Sequence, residues 1–200
     1  MFREFIAWLF EAEKKFLVIG NMNAITYKEV FPLIKDNKLW LGNGFNAGNA
    51  FFAIPKNDVS DYASGVYDSS TNLVKFRNCC WFTNIDHGRR HRPLELMTMA
   101  DNIKFNKKIK DCPYPKYDNY DAIEVCVTNG IPSDYDGVMG VPISFLDKYC
   151  PEQFEIIGRA DANIANENNP VYIKGLKDKG GAPLINGSFV YKRILIRKKQ

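Results

Sequence analysis

Three arginines within four positions, Arg89, Arg90 and Arg92, carry the densest positive charge in this 200-residue chain, and both of its histidines, His87 and His91, stand among them. Guanidinium groups are too costly to bury unpaired, so residues 86–92 must meet water, carboxylates or phosphates. The segment before them, residues 73–83, is rich in β-branched, aromatic and Cys side chains and reads as a strand covered on both faces. It carries Arg77, Trp81 and Phe82, a cation and two flat rings. A rigid strand that delivers aromatics and arginines to one rim suits a nucleic acid, the rings stacking on bases and the cations meeting phosphates.

A plainer account of the same residues stands beside that one. Large aromatics are mostly core, so Trp81 and Phe82 serve packing as readily as base stacking. Short charge runs are commonly solvated loops, and Pro93 ends any regular structure begun by the arginines.

The bulk properties frame both accounts. A 46% hydrophobic and 14% aromatic composition supports a sizeable core and excludes a disordered chain. The net charge of +4 is too small by itself to mark a phosphate-polymer binder, but it is unevenly spread. Residues 1–120 sum to +4, residues 121–170 to −7 and residues 171–200 to +7, a basic segment beyond an acidic one. The five cysteines are odd in number and lack the spacing of a zinc site or a disulfide framework, which points to a reducing cytoplasm. No window approaches the roughly 18 to 20 apolar residues of a membrane span, and the first apolar run is broken by charges, so neither a membrane anchor nor a signal peptide is expected.

The elements that position these residues follow an α/β order. Phe2, Phe5, Ile6 and Leu9 predict an amphipathic helix over residues 2–14. Residues 16–20, FLVIG, predict a central parallel strand covered on both faces. Thr26 with Glu29 forms a capping-box pattern opening a second helix, which Pro32 is expected to kink. Strands are expected over residues 38–41, 51–55 and 73–83, with residues 57–71 as an exposed loop. The glycine-bearing residues 42–48 lack a following helix and so read as a loop between antiparallel strands, with Phe45 near its tip, in place of a nucleotide loop.

Beyond residue 101 the texture changes. Four lysines surround Phe105 and Ile109, and residues 113–120, PYPKYDNY, interleave three tyrosines with Pro, Lys and Asp. These rings are either a stacking surface or an ordinary Pro/Tyr loop. Strands are expected over 122–127 and 154–157, with a packed loop at 137–149 entering a helix near Ser144. Asn186-Gly187 supplies the positive φ pair of a two-residue hairpin turn over residues 184–198. In its second strand the alternation of Lys and Arg predicts one strongly cationic face.

Long strings carry a resemblance. Residues 15–30 (KFLVIGNMNAITYKEV), 38–42 (KLWLG), 80–84 (CWFTN), 140–149 (GVPISFLDKY) and 151–158 (PEQFEIIG) closely resemble adenine-specific DNA methyltransferases of the EcoRI type over nearly the whole chain. The resemblance implies an α/β fold: the second half of a Rossmann-like methyltransferase sheet, followed by a C-terminal α+β target-recognition region. It places the catalytic half-domain in residues 1–90 and the recognition region in residues 91–200. It further implies S-adenosylmethionine as methyl donor and double-stranded DNA as partner, with an adenine N6 amine as acceptor.

The same comparison exposes a gap. Neither the family's Asn-Pro-Pro-Phe tetrapeptide nor its acidic-x-Phe-x-Gly-x-Gly cofactor loop occurs in the sequence, so no catalytic residue is expected in this chain. The resemblance therefore implies a C-terminal portion that is inactive alone, partnered by an N-terminal methyltransferase fragment or by self-association. Phe45, Trp81 and Phe82 are the candidates to stack on an extruded base, and Arg77, His87, Arg89, Arg90, His91 and Arg92 the candidates to contact DNA. The alternative is a catalytically inactive DNA- or protein-binding module derived from such an enzyme. A metal-dependent nuclease is disfavoured: Glu124-Val-Cys126 has Cys where such sites want Lys, and Gly88 with Pro93 opposes a helical His87–His91 pair, so no metal is expected.

Overall fold

The computed structural model describes residues 2–42, 49–55, 62–162, 169–173 and 180–199. Its contacts divide the chain into two compact units, Met1–Asp86 and His87–Gln200. It is a mixed α/β structure built on several small sheets.

In the first unit, α1 (Phe2–Glu11) turns Ile6 and Leu9 inward, three residues apart as the helical repeat requires. The helix stops earlier than its apolar periodicity suggests, because Glu13 takes φ 51° and Lys14 N–H reaches back to Leu9 O at 3.0 Å, a Schellman closure made without glycine. Strand β1 (Leu17–Asn21) corrects the expectation of a central parallel strand. It pairs antiparallel with β6 (Cys79–Thr83) and, among the described residues, on that side only. Leu17 and Ile19 remain 55% and 41% exposed. An all-apolar run reports what a strand would bury, and the neighbours that bury it have to be supplied separately.

Between β1 and α2 (Phe31–Lys35) the chain makes a 3-10 turn, Met22–Thr26, capped by Asn21, whose side chain accepts Asn23 N–H at 2.8 Å. Thr26 donates to Asn23 O inside that turn, so it does not cap the next helix as a capping box would. Pro32 lies in the first turn of α2, where no N–H is required, and so opens the helix instead of kinking it.

Two three-stranded sheets follow. One has the order β1-β6-β2, with β2 spanning Trp40–Leu41, and β6 is antiparallel to both neighbours. The other, β3-β5-β4, is antiparallel throughout: β3 is Asn49–Ala53, β4 Tyr67–Asp68 and β5 Leu73–Arg77. The single strand expected over residues 73–83 is thus two strands in two sheets. The break is Asn78, at φ 56°, whose carbonyl accepts Met22 N–H at 2.6 Å. Asn is one of the few residues that enter this left-handed region readily, and its presence there was the available signal.

The second unit carries two short helices, α3 (Met99–Phe105) and α4 (Lys107–Lys110), of which Thr98 caps the first by accepting Asp101 N–H. Its main sheet has the order β7-β8-β12-β9, with β7 Ile123–Glu124, β8 Met139–Pro142, β9 Phe154–Ala160 and β12 Arg193–Lys198. The β7–β8 pair is parallel, the others antiparallel. The 3-10 segment Ile143–Lys148 stands where a helix near Ser144 was expected. The predicted turn is present, Asn186 at φ 50° and Gly187 at φ 73° joining β10 (Leu184–Ile185) to β11 (Ser188–Phe189). However, β12 leaves that hairpin and becomes an inner strand, with Ile194, Leu195 and Ile196 all buried.

That placement corrects the expected cationic face. Arg193 forms a bidentate pair with Glu124 (Nη2 to Oε1, 2.6 Å), Arg197 pairs with Glu155 at 3.0 Å, Lys198 reaches Asp136 at 3.5 Å, and Lys192 approaches Asp161 at 3.7 Å. The basic segment thus folds onto carboxylates of the acidic one. The tyrosines of residues 113–120 are core and not a stacking surface: Tyr114, Tyr117 and Tyr120 are buried, donating to Gly130 O, Glu124 Oε2 and Gly181 O.

These buried acids make the second unit sensitive to alkali. Burial, followed by the neighbouring Cys126 thiol, pushes the Cys112 thiol from 9.0 up to about 11. Burial likewise raises the Tyr114 and Tyr149 phenols from 10.0 to about 12. A raised acid binds its proton more tightly folded than unfolded, so its contribution is complete below the unfolded value and is lost as pH climbs through the folded one. The melting temperature is expected to hold to about pH 9 and fall steadily toward pH 12. A thermal scan series that stays flat through pH 12 would contradict this.

Candidate nucleic-acid interface

The arginine run opens the second unit. Gly88–His91 form a 3-10 turn entered from His87, whose backbone is extended, and closed by Arg92 N–H to Arg89 O at 3.3 Å. A turn this tight fans successive side chains around its axis and sends neighbouring residues in different directions. Just beyond it Gln153 clamps Leu94, accepting its N–H at 2.7 Å and donating to its carbonyl at 2.9 Å. The turn is therefore anchored at its exit.

Each cation meets a distinct environment. Arg89 donates to Asp147 Oδ2 at 2.6 Å, and Asp147, in the 3-10 segment after β8, has a side chain only 3% exposed. A guanidinium half in solvent is thereby fixed by a carboxylate held in the protein. His91 Nδ1 lies 2.7 Å from Glu152 Oε1, both side chains well exposed. That bond, with a second from the Cys150 thiol, holds the Glu152 carboxyl below its ordinary range. Arg90 and His87 are half-buried, and Arg90 lies close enough to Tyr149 to favour its phenolate. Arg92 is exposed.

Arg89, Arg92 and Lys148 converge on a cleft of about 440 Å³, whose wall also includes Thr128, Asn129 and Asp147. The lining sets these three cations against two carboxylates, Asp147 and Glu95, and leaves a net positive wall with hydroxyl and amide donors, the chemistry that can meet phosphate oxygens or base edges. Sequence reasoning found the arginines and missed the opposite wall. Asp147 and Lys148 stand inside the GVPISFLDKY string, but only the fold brings them against residue 89, 58 positions upstream.

The remaining candidates lie in the first unit. Phe82 is fully buried against Phe2, ring centroids 5.2 Å apart, which removes it as a base-stacking residue. Trp81 is half-buried on the opposite face of β6, cross-strand from the exposed Ile19. Arg77 closes β5 opposite Asn49. Phe45 lies outside the described residues. Among the described residues there is no cluster of three or more His, Cys, Asp or Glu able to hold a metal ion, and no helix is long and apolar enough to cross a membrane.

The comparisons with known proteins place the whole chain in one family. The family model for the adenine-specific methyltransferase EcoRI matches residues 1–199. The chain belongs to the EcoRI-type adenine-specific methyltransferase family. Within that family it is 43% identical over its whole length to the Type II methyltransferase M.EcoRI of Escherichia coli. It is 33% identical to M.MgeORF184P of Mycoplasma genitalium and 31% identical to M.MpnI of Mycoplasma pneumoniae, again along its full length. The chain spans 55% of M.EcoRI and 62% and 61% of the two mycoplasma proteins. No solved structure matches it.

Proposed function

We propose that this chain is the C-terminal portion of an S-adenosylmethionine-dependent DNA methyltransferase of a restriction-modification system, acting at the N6 amine of adenine. In this reading it supplies duplex recognition and part of the base-extrusion site. The observation that carries the reading is the Arg89–Arg92–Lys148 cleft on a chain whose whole length matches an adenine-specific methyltransferase family. The β1-β6-β2 sheet is read as the second half of a Rossmann-like sheet: β1 and β2 run parallel to each other through a helical crossover, with β6 between them. Residues from about 91 onward are the recognition region, and Trp81 and Phe45 are the remaining candidates to stack on an extruded base. The described cysteines are not joined in disulfides, which suits the cytoplasm.

The cofactor's cradle does not fit this chain. Residues 42–48 join β2 to β3, strand to strand, whereas a nucleotide loop must open a helix whose N-terminus receives the charge. The acidic-x-Phe-x-Gly-x-Gly and Asn-Pro-Pro-Phe strings are likewise absent from the sequence. Methyl transfer therefore requires the rest of the enzyme. A surface to receive it is at hand in the first unit: the one-sided strand β1 with Leu17 and Ile19 exposed, and on α1 the stacked rings of Phe5 and Trp8, 44% and 58% exposed.

Complementation tests this directly. The chain is mixed with the N-terminal part of M.EcoRI that lies outside the match, and transfer of a labelled methyl group to duplex adenine is measured. Transfer is expected in the mixture and absent from either piece alone. If the mixture is inert while the chain still binds duplex DNA, the second reading prevails: a binding module that has lost catalysis. An inert mixture and no DNA binding would defeat both.

A further inference from the structure

The first unit carries a surface that the arginine cleft does not explain. On β3, Phe51 is 59% exposed although it sits in the middle of a strand. Directly across the ladder is Lys75 of β5, its ammonium 5.9 Å from the centre of the Phe51 ring. The two belong to one face, since residues paired across an antiparallel ladder point the same way. Beside them is a concavity of about 410 Å³, bounded further by the Asp68–Thr71 turn between β4 and β5. Asp68 Oδ1 accepts from both Ser70 N and Ser70 Oγ, at 2.9 and 2.6 Å, and these bonds hold its carboxyl below the ordinary range.

A hydrophobic core has no use for this arrangement, because a cation stands over the exposed ring and an ionised carboxylate lines the same concavity. It has the three groups that an unpaired nucleotide needs: a flat apolar ring for the base, a flexible ammonium for the phosphate, and a charged acceptor for an exocyclic amine. A fully paired duplex offers the ring no base face. A protein partner would have to match the apolar ring and also set charges of its own against both Lys75 and Asp68. We infer that the β3–β5–β4 face is a second nucleic-acid site, which stacks an unpaired base on Phe51 and holds its phosphate with Lys75. The inference rests on the DNA-binding reading above and adds a strand-separated nucleotide to the paired DNA taken by the arginine cleft.

The test uses the whole chain with two fluorescently labelled DNA probes of the same sequence, one fully paired and one with a single bulged nucleotide. Wild type is expected to prefer the bulged probe. Phe51→Ala should lower affinity for the bulged probe between about fivefold and a hundredfold, the range of one lost base–aromatic stack, and leave the paired probe unchanged. Phe51→Tyr should retain the preference, and Lys75→Met should flatten the salt dependence on the bulged probe by somewhat less than one counterion, about 0.7 to 0.9. Paired binding without any preference for the bulge, or a preference that survives Phe51→Ala, overturns the inference and leaves the DNA reading standing. Failure to bind either probe sinks both. If Phe51→Ala dissociates a dimer in sedimentation and leaves both affinities intact, the face is a self-contact and the inference is wrong.

Discussion

Replacing Arg89 and Arg92 together by alanine is expected to weaken duplex binding by about thirtyfold to twenty-thousandfold at low salt, the sum of two charge-assisted contacts at about 1 to 3 kcal/mol each. The two guanidiniums line one cleft with Lys148, so their loss leaves a single cation on that wall. If both meet phosphates, the slope of log affinity against log salt should shrink by about 1.8, because two fewer counterions are released. Lys107→Ala, a change of one charge on a residue of α4 that does not line the cleft, serves as the control and should move the slope by less. An unaltered affinity and slope in the double variant would show that the cleft is not the interface.

Glu124→Ala is expected to destabilise the second unit by about 3 to 5 kcal/mol, the range for breaking a buried pair by removing one partner. Glu124 and Arg193 have side chains only 2% and 12% exposed, and Tyr117 donates its phenol to the same carboxylate. Removing the carboxylate strands a guanidinium and a hydroxyl in a protein interior. Replacing both charges, Glu124→Leu with Arg193→Met, should recover the part of the loss that comes from the stranded guanidinium and leave the part that comes from the Tyr117 hydroxyl. The signals needed are already separated along the chain. All three tryptophans (Trp8, Trp40 and Trp81) lie before residue 87, whereas seven of the ten tyrosines lie after it. Tyrosine ellipticity in a urea titration therefore reads the second unit, and a shift under about 1 kcal/mol would refute the assignment.

What could be read from residues alone differed by the kind of information required. Local chemistry was legible: the first helix and the Asn186-Gly187 turn follow from short-range rules, the helix ending three residues before its periodicity does. Partnership was not. FLVIG has the composition of a buried central strand and lies at an open side, because nothing in five residues states which strand will pair with them. Residues 73–83 have a continuous β composition, and one left-handed asparagine divides them between two sheets. The cations of 192–198 alternate as on a solvated face, yet the carboxylates that engage them lie 31 to 69 positions upstream. The far wall of the arginine cleft was hidden for the same reason.

The central position of β12 also bears on how the second unit is made. Strands β8 and β9 do not touch each other; each pairs with β12, which follows β9 by 32 intervening residues. During vectorial synthesis both emerge with an unsatisfied edge, and each keeps it until residues 193–198 arrive and slot between them. All three inner residues of the arriving strand are apolar, so alternation cannot tell it which face is which, and a slip of one position would cost it little in burial. The Arg193–Glu124 pair removes that ambiguity: only one register brings the guanidinium onto the waiting carboxylate. The buried charge acts as the index mark by which a late strand finds its place in a half-built sheet.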